Sequence, residues 1–218
     1  MNMNAVLMGD LLGSETALSA EHLHARFNAA IADANVRYGD DLLSPLTITL
    51  GDEFQGVLRD APAGLPIMRH LRLGLLAEGI DCRFVLGQVL LRTPPNPERA
   101  WNMMGPGFGR ARDRLDEKKA VTLYRFSVDP EAAQDTVEET VLDALGAGLS
   151  AIESGWTDRQ RDDITAQIRG MSAMQLARQR GVSVHSIYKV RSAGHYDAYL
   201  AQWDAIATAF GAWTGAVP

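Results

Sequence analysis

The chain contains few of the features that stabilise secreted or membrane-embedded proteins. Its 218 residues include one cysteine, Cys82, which cannot form an internal disulfide and therefore favours a reducing compartment. No run approaches the roughly 18 apolar residues of a membrane-spanning helix, and no basic segment followed by an apolar stretch opens the sequence. We therefore expect a cytoplasmic protein that has no membrane partner.

Basic residues are also scarce, with 21 Lys and Arg against 27 Asp and Glu and a net charge of -6. This balance argues against a protein that coats nucleic acid along its whole length. The charge is unevenly distributed, however. Residues 156–218 carry seven basic and five acidic side chains, a net charge of +2, whereas the preceding 155 residues have a net charge of -8. The sequence thus predicts an acidic front and a mildly basic back.

Hydrophobic periodicity in the front half predicts a mixed α and β domain. The predicted order is a strand at 5–8, a helix at 23–38, a hairpin at 46–58, a helix at 66–75 and a strand at 82–91. This succession is the ferredoxin-like arrangement, here extended by a helix at 109–118 and a strand at 121–126. From about residue 131 the pattern is helical to the end.

Two carboxylates beside glycine end neighbouring strands of this predicted sheet. Asp10 follows Gly9, and Asp52 follows Gly51 at the hairpin tip. Two carboxylates held close together repel each other unless a cation lies between them. Mg²⁺ suits such a pair, since it uses one or two carboxylates together with water and substrate phosphates. Glu53 is a third candidate ligand, although on a strand it points away from Asp52. The alternative is that these residues cap loops or face solvent.

The back half has the spacing of a helix-turn-helix. Thr157, Ser172 and Ser183 are suitable N-caps for three short helices, and Gly181 suits a left-handed turn between the last two. The third helix would then read DNA bases with His185, Ser186 and Lys189, and phosphates would be bound by Arg178, Arg180 and Arg191. The alternative is an αα-hairpin with a solvated basic face.

The last helix carries an apolar stripe from Tyr196 to Trp213. Such a stripe is typical either of a helix packed into a core or of a dimer surface. We favour the core, and keep a homodimer as the alternative because two half-sites would strengthen DNA binding.

The sequence also resembles the SatD family of bacterial proteins. The resemblance rests on Asp10, the segment 50–56, the strand from Arg83 to Gly87, and the segment 105–112. SatD proteins in turn resemble the palm domain of diguanylate and class III adenylyl cyclases, with a sigma-factor-like helix-turn-helix behind it. The resemblance implies Asp10 and Asp52 as metal ligands, Mg²⁺ or Mn²⁺ as cofactor and a nucleoside triphosphate as ligand or substrate.

The resemblance also supplies the remaining candidate site residues. Backbone N–H groups of the loop from Leu11 to Ser14 suit phosphates. The cyclases carry an asparagine and an arginine where this chain has Gly109 and Asp113. Arg110, Arg112 and Arg114 are close enough in sequence that one of them could substitute, and Arg112 is the candidate catalytic arginine. The candidate nucleotide-binding residues are Gly9, Leu11, Gly13, Ser14, Gly51, Gly105 and Arg110.

These observations predict an α+β chain in three parts. Residues 1–130 form a ferredoxin-like, cyclase-like palm domain, 131–155 a helical connector, and 156–218 an all-α helix-turn-helix domain. The favoured function is a DNA-binding regulator whose palm senses a nucleotide with Mg²⁺. One alternative is an active nucleotidyl cyclase or transferase, and another is a scaffold that binds no nucleotide.

Overall fold

A computed structural model describes residues 3–13, 20–117 and 121–215 of the chain. The strands of these ranges are β1 (Met3–Leu11), β2 (Leu42–Leu50), β3 (Glu53–Leu58), β4 (Cys82–Leu90) and β5 (Tyr124–Ser127). The helices are α1 (Ala20–Tyr38), α2 (Gly64–Ala77), α3 (Phe108–Asp116), α4 (Val137–Ser154), α5 (Asp158–Ile168), α6 (Ala173–Arg180), α7 (Val184–Ala193) and α8 (Tyr196–Trp213).

The strands form one sheet in the order β2-β3-β1-β4-β5. The first four are antiparallel to their neighbours, and β5 adds in parallel to β4. With α1 between β1 and β2, and α2 between β3 and β4, this is the strand order of the ferredoxin-like arrangement. The predicted α+β fold and its hairpin at Gly51-Asp52 are therefore confirmed.

Alternation along the strands gives the sheet two different faces. On one face, Leu7, Phe54 and Phe84 pack into the main apolar core, to which α1 and α2 contribute. On the other face, Val6 and Met8 form a smaller cluster with α3. The even-numbered residues of β1 therefore point toward α3, and Asp10 belongs to this set.

The back half packs against the same core rather than apart from it. Tyr199, Trp203, Ile206 and Phe210 of α8 are buried, and the Phe210 ring lies 5.5 Å from that of Phe126 in β5. The apolar stripe of the last helix is thus a core element, which packs mainly on α4 and reaches β5 through the rings of Trp203 and Phe210. A homodimer, and the divisions near residues 130 and 155, stay predictions.

Side-chain caps begin the helices of the back half. Thr157, Ser172 and Ser183 each accept a hydrogen bond from the backbone N–H three residues later. Gly181 ends α6 in the left-handed conformation, with φ of 64°. These caps were all predicted from the sequence. None of the helices in the described ranges has the length and apolar content to span a bilayer.

Candidate functional site

Charged residues meet on the α3 side of the sheet, where β1 ends and β3 and β4 begin. Asp10 is the Cα partner of Glu53 in β3 and of Arg83 in β4. The three side chains share one face because paired residues on neighbouring strands point the same way. The pairing register sets Glu53 beside Asp10.

Each of the two strand carboxylates is paired with an arginine. Arg83 donates from Nη2 to Asp10, and both side chains are nearly buried, at 12% and 13% exposure. Arg112 of α3 donates to Glu53. Arg112, the candidate catalytic arginine, therefore does reach the acidic site. The pairing of Arg83 with Asp10 was not predicted from the sequence, because it depends on the register between strands distant along the chain.

The environment of Asp10 opposes its ionisation. Burial raises the pKa of the Asp10 carboxyl, and the neighbouring charges of Asp52 and Glu53 raise it further. The hydrogen bond and charge of Arg83 act in the opposite direction, yet the pKa stays above its ordinary value. Asp52 therefore lies close enough to Asp10 to interact with it electrostatically. A cation brought to this group of carboxylates would be stabilised.

A groove of about 500 Å³ opens at the hairpin tip. Its lining residues are Leu11, Ala20, Glu21, Leu23, His24, Gly51 and Asp52. Three of the candidate residues thus share this groove, namely Leu11, Gly51 and Asp52. The backbone N–H of Leu11 donates to the Asp52 carbonyl at 3.0 Å, which holds the end of β1 against the tip.

The fit of magnesium to these residues depends on its phosphate ligand. No group of three or more acidic, histidine or cysteine side chains in the described ranges could hold a metal ion by itself. Asp10 and Asp52 supply two carboxylates, which is the number that Mg²⁺ uses when it arrives with a substrate phosphate. The buried Nε of Arg83 has no hydrogen-bond partner within the described residues. The site therefore fits a magnesium nucleotide better than a resident ion.

Other candidate nucleotide-binding residues have structural reasons to be present. A Cβ on Gly9 would lie 2.3 Å from the Phe54 ring, and one on Gly105 would lie 1.8 Å from the carbonyl oxygen of Leu90. Arg110 donates to the carbonyl of Ala132 at 3.0 Å and to Glu139 of α4. Gly105 and Arg110 are thus explained by packing and by the junction with α4.

One described candidate, Gly13, follows the end of β1. Gly13 has a left-handed backbone with φ of 68°, which a glycine adopts without strain. Ser14 lies outside the described residues.

The candidate DNA-reading helix, α7, has one buried and one exposed side. Ile187 packs with Leu176 and Ala177 of α6. His185 and Lys189 are exposed, and Ser186 is half-buried with a hydrogen bond to Ser183.

The candidate phosphate-binding arginines differ in their surroundings. Arg178 is exposed and forms no ion pair within the described residues. Arg180 pairs with the buried Asp163 of α5 at 2.5 Å. Arg191 pairs with Asp197 at 2.8 Å and lies over the Tyr196 ring. The last two arginines therefore join helices to one another, which the sequence pattern did not indicate.

Comparison with known proteins returned cyclases among solved structures. A bacterial light-regulated adenylyl cyclase is 15% identical, with a TM-score of 0.40 over 57% of this chain and 74% of that chain. The guanylate cyclase domain of RhGC from Catenaria anguillulae, solved with GTP, is 14% identical, with a TM-score of 0.42 over 59% and 80%. A search of curated proteins found no match. The SatD family model matches residues 4–187, and the chain therefore belongs to the SatD family.

Proposed function

We propose that this protein is a regulator that binds a nucleoside triphosphate with Mg²⁺ at the acidic end of the sheet and duplex DNA through α7. The nucleotide part rests on one observation. Asp52 lines the groove at the hairpin tip, and its charge acts on Asp10, which is paired with Arg83 at the end of β1.

The residues of the site have complementary tasks in this proposal. Asp10 and Asp52 would hold the magnesium, which when bound neutralises phosphate charge. Arg83 balances Asp10 without ligand, and its guanidinium would donate to a phosphate oxygen when the nucleotide arrives. Arg112 balances the charge of Glu53 in the same way. The arginines thus balance the negative charges of Asp10 and Glu53 both without and with the nucleotide.

Isothermal titration calorimetry with ATP and GTP, each with and without Mg²⁺, tests this site. We expect binding that needs Mg²⁺ and that weakens at least tenfold in Asp52→Asn, because a charged ligand contact is lost. Glu131→Gln is the matched control, since Glu131 is an exposed carboxylate whose side chain forms no ion pair within the described residues. Equal affinity in both variants would contradict the proposed site.

The DNA part rests on the exposed side of α7. His185 and Lys189 lie one turn apart on a short helix that α5, α6 and α8 support. An exposed helix of this kind enters the major groove in helix-turn-helix proteins, where such side chains contact base edges. Arg178 of α6 is available for a phosphate.

Fluorescence anisotropy with labelled duplex DNA tests this part. Affinity should fall with salt and fall again in Lys189→Ala and Arg178→Ala, because phosphate and base contacts are lost. Arg92→Gln removes an exposed charge elsewhere and serves as the control. Salt-independent binding, or equal affinity in all variants, would rule out the α7 interface.

The connector α4 offers a physical link between the two parts. Its carboxylates Glu139 and Glu153 bind Arg110 of α3 and Arg72 of α2, so that α4 is fixed to the front half near both ends. Regulation requires two states that the nucleotide binds differently. We therefore propose that nucleotide binding changes DNA affinity, and the anisotropy titration repeated with saturating ATP and Mg²⁺ measures that change.

A nucleotidyl cyclase or transferase is the second candidate function. It is favoured by the pairing of Arg112 with Glu53, which places an arginine of α3 at the acidic site. The ribose hydroxyl would attack the α-phosphorus and pyrophosphate would leave, and Arg112 would stabilise the negative charge that develops. Chromatography of labelled triphosphates after incubation with Mg²⁺ or Mn²⁺ should show product that Asp52→Asn and Arg112→Ala both abolish. Unchanged triphosphate would rule this candidate out.

A further inference from the structure

A second cavity lies at the junction of four helices. Its volume is about 530 Å³, and its walls come from the end of α1, the start of α2, the end of α5 and the middle of α8. Six residues of chemical interest line it, namely Arg37, Tyr38, Arg69, His70, Arg169 and Trp203. None of them belongs to the candidate nucleotide or DNA sites.

The charge around this cavity is opposite to that of the protein. Arg37, Arg69 and Arg169 line it and form no ion pair within the described ranges, whereas the chain as a whole carries a net charge of -6. His70 is paired with Asp33 at 2.7 Å, and Asp204 is the one carboxylate on the described wall. Three arginines without acidic partners attract an anion.

One of these arginines has a buried donor with no partner. The Nε of Arg69 is inaccessible to solvent and makes no hydrogen bond to any described residue. A buried donor without a partner costs free energy, which a ligand oxygen would recover once the Arg69 side chain turns to meet it. The Arg69 guanidinium is held over the Trp203 ring, 5.8 Å from its centroid. The donor therefore lies beside an aromatic surface.

Aromatic and aliphatic side chains form the rest of the cavity wall. Tyr38 contributes aromatic surface together with the small accessible part of the buried Trp203, and Leu65, Leu73 and Ile168 contribute apolar surface. A cavity of several hundred cubic ångströms with apolar walls and a few converging polar groups is typical of a small-molecule site. Arginine and aromatic side chains together favour a planar ligand that carries a carboxylate or phosphate.

We infer that this cavity binds a small organic anion with a planar ring, at a site separate from the nucleotide site. The ring contacts Tyr38 and Trp203, and the carboxylate or phosphate accepts hydrogen bonds from Arg69 and Arg169. Because Arg169 follows the last residue of α5, the ligand joins the front helices to the segment that leads into α6.

Titration with anilinonaphthalene sulfonate, a fluorescent planar anion, tests this inference. One probe should bind per chain, with energy transfer from tryptophan that falls in Trp203→Phe. The dissociation constant should rise about tenfold in Arg69→Gln and in Arg169→Gln, because each loses a charged hydrogen bond. Arg92→Gln, which removes an exposed charge outside the cavity, is the matched control. Circular dichroism establishes that each variant is folded.

Competition identifies the anionic group and separates this cavity from the nucleotide site. Displacement by AMP indicates a phosphate ligand, displacement by benzoate indicates a carboxylate ligand, and either result supports the inference. Equal displacement by uncharged adenosine or benzamide would overturn it, as would wild-type probe affinity in the folded Arg69 and Arg169 variants. All titrations are repeated in Asp52→Asn, in which probe binding should be unchanged even if the nucleotide proposal fails. Loss of probe binding in Asp52→Asn would overturn the separate site.

Discussion

Arg72 of α2 and Glu153 of α4 form an ion pair in the interior of the protein, with 2.8 Å between Nε and Oε2. Both side chains are at most 2% exposed. The hydroxyls of Tyr124 and Tyr199 also donate to Glu153, at 2.5 and 2.8 Å. Although burial acts to lower the pKa of Arg72, Glu153 and Asp81 raise it, and the arginine stays charged. One carboxylate thus joins the sheet, α2, α4 and α8.

Glu153→Gln should be strongly destabilising, because it leaves the buried charge of Arg72 with only the half-exposed Asp81. We expect the free energy of unfolding to fall by about 3 kcal/mol, as when one partner of a buried pair is removed. Urea denaturation followed by circular dichroism measures it. Glu78→Gln, which removes an exposed partner of Arg26, should cost less than about 1 kcal/mol. Similar losses in both variants would show that burial of the Glu153 pair is unimportant.

The pairing of Glu139 predicts a contribution to acid stability. Burial acts to raise the pKa of Glu139, but hydrogen bonds from Arg110 and from the backbone N–H groups of Thr136 and Val128 lower it overall. A carboxyl whose pKa is lower in the folded state contributes stability above its unfolded pKa of about 4.3. This stability is lost as the pH falls through the folded pKa.

Glu139→Gln should therefore lower the melting temperature at pH 7 more than at pH 3. The difference between wild type and variant is the informative quantity, since Asp10, Asp143 and Asp163 have raised pKa values and act in the opposite direction. Thermal unfolding between pH 3 and 7 provides the measurement. A difference that is independent of pH would contradict the role given to Glu139.

The single cysteine should be chemically inert in the folded protein. Cys82 is fully buried at the start of β4, and burial raises the pKa of its thiol far above neutrality. Because the thiolate is the reactive form, we expect no reaction with Ellman's reagent until the protein unfolds. Addition of urea should then release one equivalent of thionitrobenzoate. Rapid labelling without denaturant would show that β4 opens locally.

Local signals predicted much of this structure, whereas long-range pairings were not visible in the sequence. The tip at Gly51-Asp52, the caps at Thr157, Ser172 and Ser183, and the turn at Gly181 each depend on a few neighbouring residues, and all were predicted. The register that brings Arg83 to Asp10 depends on residues 73 positions apart. The position of α8 and the cavity lined by Arg69 likewise depend on tertiary packing, which periodicity alone does not encode.

Two arginines that look equivalent in the sequence likewise differ in their tertiary surroundings. Arg180 and Arg178 are both candidate phosphate contacts, but Arg180 pairs at 2.5 Å with Asp163, whose side chain is fully buried. Burial raises the pKa of Asp163, and Arg180 partly opposes that rise. Arg180→Ala leaves this carboxylate with the more distant Arg159, at 4.0 Å. We therefore expect a loss of about 2 kcal/mol in the free energy of unfolding, because a buried charge loses its nearest partner.

Arg178→Ala should instead change stability by no more than about 0.5 kcal/mol, as is usual for an exposed side chain. Urea denaturation of the two variants in parallel tests this contrast, and Arg180→Lys should recover part of the stability because it keeps the charge. DNA affinity, measured where both variants are folded, should fall in Arg178→Ala. If Arg180→Ala were as stable as wild type and bound DNA more weakly, Arg180 would be a phosphate contact after all, and the α5–α6 junction would not depend on its ion pair.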